Sequence, residues 1–168
     1  MNYRIWYAQL DVFDTIRRYL ALLTHWQGPA PDKTRLFITD FYYVNPPLLH
    51  NVHMPTDVRR SFNEIKIEKA QNTFIQYPSP QLLFIKMGGI QSNALHHLVG
   101  KGMVEVSDVN KNRYRLSNEG IKIAENLVDK LVLDSERSVL NFLTNEFVKV
   151  GSGKGGLRSV TGLNRLGA

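Results

Sequence analysis

Residues 78–131 read PSPQLLFIKMGGIQSNALHHLVGKGMVEVSDVNKNRYRLSNEGIKIAENLVDKL, and three kinds of periodicity follow one another along them. Two segments with helical spacing are separated by Gly88-Gly89, a pair that favours a turn. Alternating residues at 103–106 and 113–116 predict two short strands joined by a polar turn. Ser117 then offers an N-cap for another helix. This order predicts a winged helix-turn-helix, in a mainly α fold with a small β-sheet.

The segment 90–99 takes the position of the recognition helix in that motif. Its apolar spacing predicts that Gln91, Asn93 and His96 face outward, where side chains of this kind contact base edges or phosphates. No Lys or Arg lies between Gly88 and Gly100, which is unusual for a helix that reads the major groove. The sequence therefore leaves open whether this module binds DNA or another protein.

The rest of the chain adds helices on both sides of the predicted wing domain. Periodic apolar residues and terminating prolines predict helices at 10–26 and 33–44, the second with Asp32 as its N-cap. We expect an N-terminal helical region (1–55), a winged-helix domain (56–133), a C-terminal helix (134–150) and a flexible basic tail (151–168). β-favouring residues at 73–77 predict one further strand of the small sheet.

The charge of the chain is unevenly spread along the sequence. The formal net charge is +6, and residues 151–168 hold three Lys/Arg and no acid. The remainder is close to neutral, whereas a dedicated DNA-binding protein more often has a strongly basic face. With no cysteine, disulfides and thiolate metal sites are excluded. The composition and the lack of long apolar runs indicate a cytoplasmic protein without a membrane span.

Two groups of basic residues are the predicted contacts to nucleic acid. Lys111, Arg113 and Arg115 fall on the predicted wing, and Lys154 and Arg158 lie in the tail. Basic wings contact phosphates and add affinity without sequence preference. The alternative is a solvated hairpin edge whose charges oppose aggregation.

Catalytic and metal-binding patterns are weak throughout. Residues 151–156 read GSGKGG, but the Lys is not followed by Ser or Thr and no strand precedes it, so we expect a linker rather than a phosphate loop. His50 and His53 have ligand-like spacing without a third ligand, and we expect no metal and no cofactor. Asp40, in an aromatic helix, is expected to make a buried hydrogen bond or an ion pair with an arginine such as Arg35. The chain is expected not to be an enzyme.

Aromatic residues near both ends of the globular region are candidate contacts to a protein partner. They are Tyr3, Trp6 and Tyr7 before the first helix, and Phe142 and Phe147 in the last one. The alternative is that these rings close the hydrophobic core.

Three quoted segments carry a resemblance to a known family: RIWYAQLDVFDTIRRYLALL (4–23), LFITDFYYVNPPLL (36–49) and YPSPQLLFIKMGGIQSNALHHLVGKGMV (77–104). Together with the wing, they make residues 3–131 resemble the middle component of three-component ABC-type bacterial defence systems, the group that includes the Lamassu small subunit.

The resemblance implies a small winged-helix protein that works with an SMC-like ATPase and an effector, often a nuclease. It implies a non-catalytic subunit that bridges or clamps the ATPase heads, in a complex that senses foreign double-stranded DNA. The alternative is a homodimeric winged-helix transcription regulator with Gln91 to Asn93 in the major groove. A toxin or antitoxin is a further alternative.

Overall fold

The computed structural model describes residues 7–72 and 77–164. Nine α-helices follow one another along the described chain: α1 Val12–His25, α2 Lys33–Val44, α3 Thr56–Glu64, α4 Pro80–Gly100, α5 Val106–Asn110, α6 Asn118–Asn126, α7 Val128–Leu131, α8 Arg137–Asn145 and α9 Gly156–Thr161. Five short 3₁₀ segments lie between them: Ala8–Leu10, Pro46–Asn51, Ala70–Asn72, Asp134–Glu136 and Phe147–Lys149.

Side-chain caps set the starts of three helices, and two of these caps were predicted. Asp32 accepts a hydrogen bond from Arg35 N at 2.8 Å, and Ser117 accepts one from Gly120 N at 3.1 Å. Asp11 caps α1 in the same way, through Asp14 N at 2.9 Å. These bonds satisfy amides that have no partner inside the helix. The predicted bounds of α2 are confirmed.

The predicted winged helix-turn-helix is wrong, first because α4 is continuous through Gly88-Gly89. Each glycine costs a helix roughly 1 kcal/mol relative to alanine. Burial of the apolar side of α4 against α1 and α2 offsets that cost, with Phe84 and Met87 in the core. No turn therefore separates two helices here, and the segment 90–99 is not a separate recognition helix.

The predicted β-sheet is also wrong, because the described residues contain no strand. Val104 and Leu116 form one isolated antiparallel bridge. Beyond it the chain turns into α5, where local bonds such as Arg113 N to Asp108 O at 2.7 Å satisfy the backbone. An isolated pair of short strands is only marginally stable, and no third strand among the described residues pairs with it to form a sheet. The strand predicted at 73–77 falls on 73–76, outside the described residues, and on Tyr77, which lies outside any element.

Residues 151–164 pack on the body rather than extending as a flexible linker. Leu157 and Leu163 are buried, and His53 N donates to Val160 O at 3.0 Å. Gly151 has a φ of +75°, and a Cβ there would lie 2.5 Å from Leu157 Cα. Only glycine allows the chain to reverse this closely onto its own next helix. The other predicted domain boundaries remain predictions.

Candidate nucleic-acid interface and partner-facing surface

Residues 112–114, which follow α5, dock on the start of α2. Asn112 Oδ1 accepts from Lys33 N at 3.3 Å, and Tyr114 N donates to Pro31 O at 3.0 Å. Arg113 Nη1 donates to Ala30 O at 3.3 Å. Burial of Tyr114 and Leu116 holds this segment on the body, whereas Arg113 and Arg115, which alternate with them, remain exposed.

The C-terminal segment reaches the same end of α2. Arg158 Nη2 donates to Thr34 Oγ1 at 3.2 Å, and Lys154 is exposed in the loop before α9. The two predicted basic groups are 39 or more residues apart in the chain, yet residues of both groups lie around one helix start. We call this surface the basic face, and it consists of Lys33, Arg35, Lys111, Arg113, Lys154 and Arg158.

The cations of the basic face have no carboxylate partner in the described chain. No carboxylate among the described residues lies within 4.0 Å of any of the six charged groups, whereas Arg115 pairs with Asp108 at 2.6 Å. Arg35 donates instead to the carbonyls of Phe147 and Val150, and its burial lowers its pKa. Uncompensated positive charge concentrated on one face attracts polyanions.

Of the three residues of α4 that were predicted to contact bases or phosphates, the structure buries one and exposes two. Gln91 is fully buried, contrary to prediction, and its Nε2 donates to Phe37 O and Asp40 Oδ2, each at 2.9 Å. Gln91 is therefore not available to a base edge, whereas the alternative of a transcription regulator required it in the major groove. Asn93 and His96 are exposed, and they line a shallow hollow.

Asp40 is buried in an ion pair, as predicted, but its partner is Arg18 rather than Arg35. Arg18 Nε lies 2.6 Å from Asp40 Oδ1, and the Arg18 guanidinium also bonds Asp14 and Thr15. Burial opposes the charge of Arg18, but the two carboxylates hold its pKa above the ordinary value. This network joins α1, α2 and, through Gln91, α4.

A second chain of contacts leads from Asp14 to the surface. Arg17 pairs with Asp14 and with Glu136, each at 2.8 Å, and Arg17 Nη1 donates to Leu131 O at 2.7 Å. Tyr43 Oη donates to the same Glu136 at 3.1 Å. These bonds fix the start of the last helical region against α1.

Exposed apolar side chains lie beside that ion pair. Phe13, one helical turn before Arg17, is 78% exposed, and Leu133, whose N–H donates to Glu136, is 56% exposed. Exposed apolar residues also precede Phe13 and lie on α7. We call this surface the apolar patch, and it consists of Tyr7, Leu10, Phe13, Leu127, Val128 and Leu133.

Of the three predicted partner contacts that the structure describes, Tyr7 is exposed. Phe142 and Phe147 are buried in the core, where their rings lie 6.3 Å apart, so they are not presented to a partner in this conformation. Tyr3 and Trp6 lie outside the described residues. Sequence reasoning missed Phe13 and Leu133, because helical spacing assigns Phe13 to the buried side of α1.

No cluster of three or more His, Cys, Asp or Glu in the described parts of the chain could hold a metal ion. His50 Nε2 lies 2.7 Å from Ile67 O, and its ring lies against Phe62. Within 7–72 and 77–164, no helix has both the length and the apolar character needed to cross a bilayer.

Comparisons with known proteins place the whole chain in one family. No curated protein and no solved structure matches the sequence. A family model described as ABC-three component (ABC-3C) system Middle Component 5 matches residues 4–166. Middle components of these systems work with an ATPase and other components. Since the match covers nearly the full length, the chain belongs to the middle component 5 family of ABC-three component defence systems.

Proposed function

We propose that this protein is a non-catalytic adaptor that joins an SMC-like ATPase to an effector nuclease and contacts DNA within that complex, as the Lamassu resemblance implies. The observation that carries the DNA contact is the convergence of six cations without carboxylate partners on the basic face. The apolar patch supports the protein contact.

The basic face is suited to phosphates rather than to base edges. Its cations come from a helix start and two loops, and no helix of the face is free to enter a groove in the manner of a recognition helix. Each phosphate neutralised on duplex DNA releases condensed counterions, which gives a slope of log K against log salt of about −0.9. With four to six contacts we expect a total slope of about −4 to −5.

The apolar patch is suited to a protein partner because it combines exposed rings and aliphatic groups with a fixed ion pair. Arg17 and Glu136 hold α1 and the segment 131–136 together, so the patch is already arranged before binding. A small set of apolar anchors supplies most of the energy of many interfaces. We assign the ATPase subunit to this surface.

Copurification with the products of neighbouring genes tests the protein contact. We expect a stoichiometric complex of the wild type with the ATPase, and its loss in Phe13→Asp/Leu133→Asp. Val106→Asp is the matched control, because Val106 is 61% exposed outside the patch. A wild-type chain that binds none of those products would contradict the adaptor role.

Fluorescence anisotropy with a labelled duplex tests the DNA contact. We expect Lys111→Ala/Arg113→Ala to weaken binding and to reduce the salt slope by about 1 to 2. Arg137→Ala is the control, since it removes one exposed cation at the opposite end of α8 from Arg35. An equal loss of affinity in both variants would show that the basic face has no special part in binding.

A further inference from the structure

Two cavities flank the start of α2, and Arg35 lines both of them. The first measures about 330 Å³ and is walled by Thr34, Arg35, Arg158 and three glycines of the turn, Gly151, Gly155 and Gly156. The second measures ≈ 210 Å³ and is walled by Trp26, residues 27–31, Arg35 and Arg113. The arginines that line the two cavities belong to the basic face.

The first cavity has the donors that an oxyanion requires. A guanidinium has five N–H donors. Arg35 uses one on Val150 O at 2.7 Å and one on Phe147 O at 3.4 Å, and Arg158 uses one on Thr34 Oγ1. Seven donors of the two groups thus have no partner among the described residues. Bonds to carbonyls fix Arg35 in place, and planar guanidinium groups bind phosphate oxygens in pairs.

One carboxylate, that of Asp32, also lines this cavity, and it opposes an anion. Its Oδ1 already accepts from Arg35 N at 2.8 Å as the cap of α2. Two cations, Arg35 and Arg158, line the same cavity, and Lys154 lies in the adjoining loop. The balance of charge remains positive and favours a phosphate.

The second cavity has an aromatic wall. The indole Nε1 of Trp26 donates to Pro29 O at 3.0 Å, which fixes the ring at the edge of the loop. Arg113 lines the same cavity. Stacking on an aromatic ring beside basic groups is the way proteins hold unpaired bases without reading their sequence.

We propose that the two cavities together bind one unpaired nucleotide, with its phosphate between Arg35 and Arg158 and its base on Trp26. This inference rests on the proposed contact with nucleic acid and adds the class of ligand, a nucleotide outside a duplex. The ligand has two possible sources, a single strand and a free nucleotide.

Fluorescence of Trp26 gives a direct measurement. The chain has two tryptophans, so Trp6→Phe leaves Trp26 as the only indole. We expect oligo-dT to quench its emission with saturation. ATP and thymidine monophosphate form the second arm: quenching by them at comparable concentrations identifies a free nucleotide as the source, and quenching by oligo-dT alone identifies the single strand.

Variants test which side chains are responsible. By anisotropy with labelled oligo-dT, we expect Trp26→Ala to weaken binding about 5- to 150-fold, the range for loss of one stacked base. Trp26→Phe should retain most of the affinity, and Arg158→Ala should lose at least part of it. Arg137→Ala is the control, and melting curves confirm that each variant is folded.

Three outcomes overturn the inference: unchanged emission with every nucleotide probe, equal affinity of wild type and Trp26→Ala, or no effect of Arg158→Ala. If the labelled duplex still binds the basic face in those cases, the proposed function stands and only the nucleotide site fails. If neither duplex nor single strand binds the chain or its complex, the DNA part of the proposed function fails with it.

Discussion

Replacing Asp40 with alanine should strongly destabilise the protein. The Asp40 carboxylate is fully buried and pairs with Arg18, which is itself 1% exposed. The variant leaves the guanidinium in the core with Asp14 as its remaining carboxylate partner. Breaking a buried pair by removing one partner costs roughly 3–5 kcal/mol. Gln91 also loses the acceptor that Asp40 provides.

Thermal unfolding followed by circular dichroism measures the effect. For a chain of this length, 1 kcal/mol corresponds to about 2–4 °C in Tm, so we expect Asp40→Ala to lower Tm by about 6–20 °C. Asp134→Ala is the control, since it removes a carboxylate from a pair whose side chains are 60% and 94% exposed. Such surface pairs are worth about 0–1 kcal/mol.

A double variant separates the lost charge from lost packing. Arg18→Met/Asp40→Leu removes both charges, and we expect it to be more stable than Asp40→Ala, because apolar replacement of a buried pair is often neutral or stabilising. The destabilisations measured for Arg18→Met alone and for Asp40→Leu alone should therefore not add up to that of the double variant. A drop in Tm of less than about 2 °C in Asp40→Ala would refute the reasoning.

Two further predictions concern close contacts and burial. A Cβ on Gly120 would lie 2.1 Å from Met103 O, whereas one on Gly89 would meet nothing within 4 Å. Chemical denaturation should show that Gly120→Ala destabilises and that Gly89→Ala stabilises by about 0.5–1 kcal/mol. Burial raises the pKa of both Tyr42 and Tyr43, so stability should be full below pH 10 and fall as pH rises above it. Absorbance titration should show these phenols ionising only with unfolding.

The parts of the fold that depend on local chemistry could be predicted from the sequence. Asp32 and Ser117 marked helix starts, and proline after Asn45 marked the end of α2, because caps and breakers act within a few residues. The family resemblance was also correct at the level of the middle component. The narrower grouping with Lamassu remains a prediction.

The errors arose where distant residues decide the outcome. Gly88-Gly89 favours a turn locally, but the helix continues because the apolar side of α4 packs against α1. Gln91 is polar, and the spacing of its neighbours predicts that it is exposed. It is buried because it bonds Asp40, which lies 51 residues earlier in the chain. Such a match between buried polar groups is not visible in periodicity, which records polarity and spacing only.

The candidate site was predicted as two pieces whose relation was unknown. Lys111, Arg113 and Arg115 were predicted as nucleic-acid contacts from their charge on the expected wing, and Lys154 and Arg158 from the charge of the tail. Arg35 was considered only as a partner for Asp40, and Trp26 only as the end of a helix. Their shared position depends on how residues 112–114 and 151–158 dock on α2, and no local pattern encodes that docking.

The three-dimensional arrangement also changes what the charge count means. Taken along the sequence, the excess charge of the tail lies apart from a nearly neutral body, which argues against a binding surface for nucleic acid. In the structure Leu157 and Leu163 anchor that tail, and Arg158 bonds Thr34 at the start of α2. The tail and body charges therefore act together around the start of α2. An average over a segment underestimates the local potential whenever folding brings distant cations together.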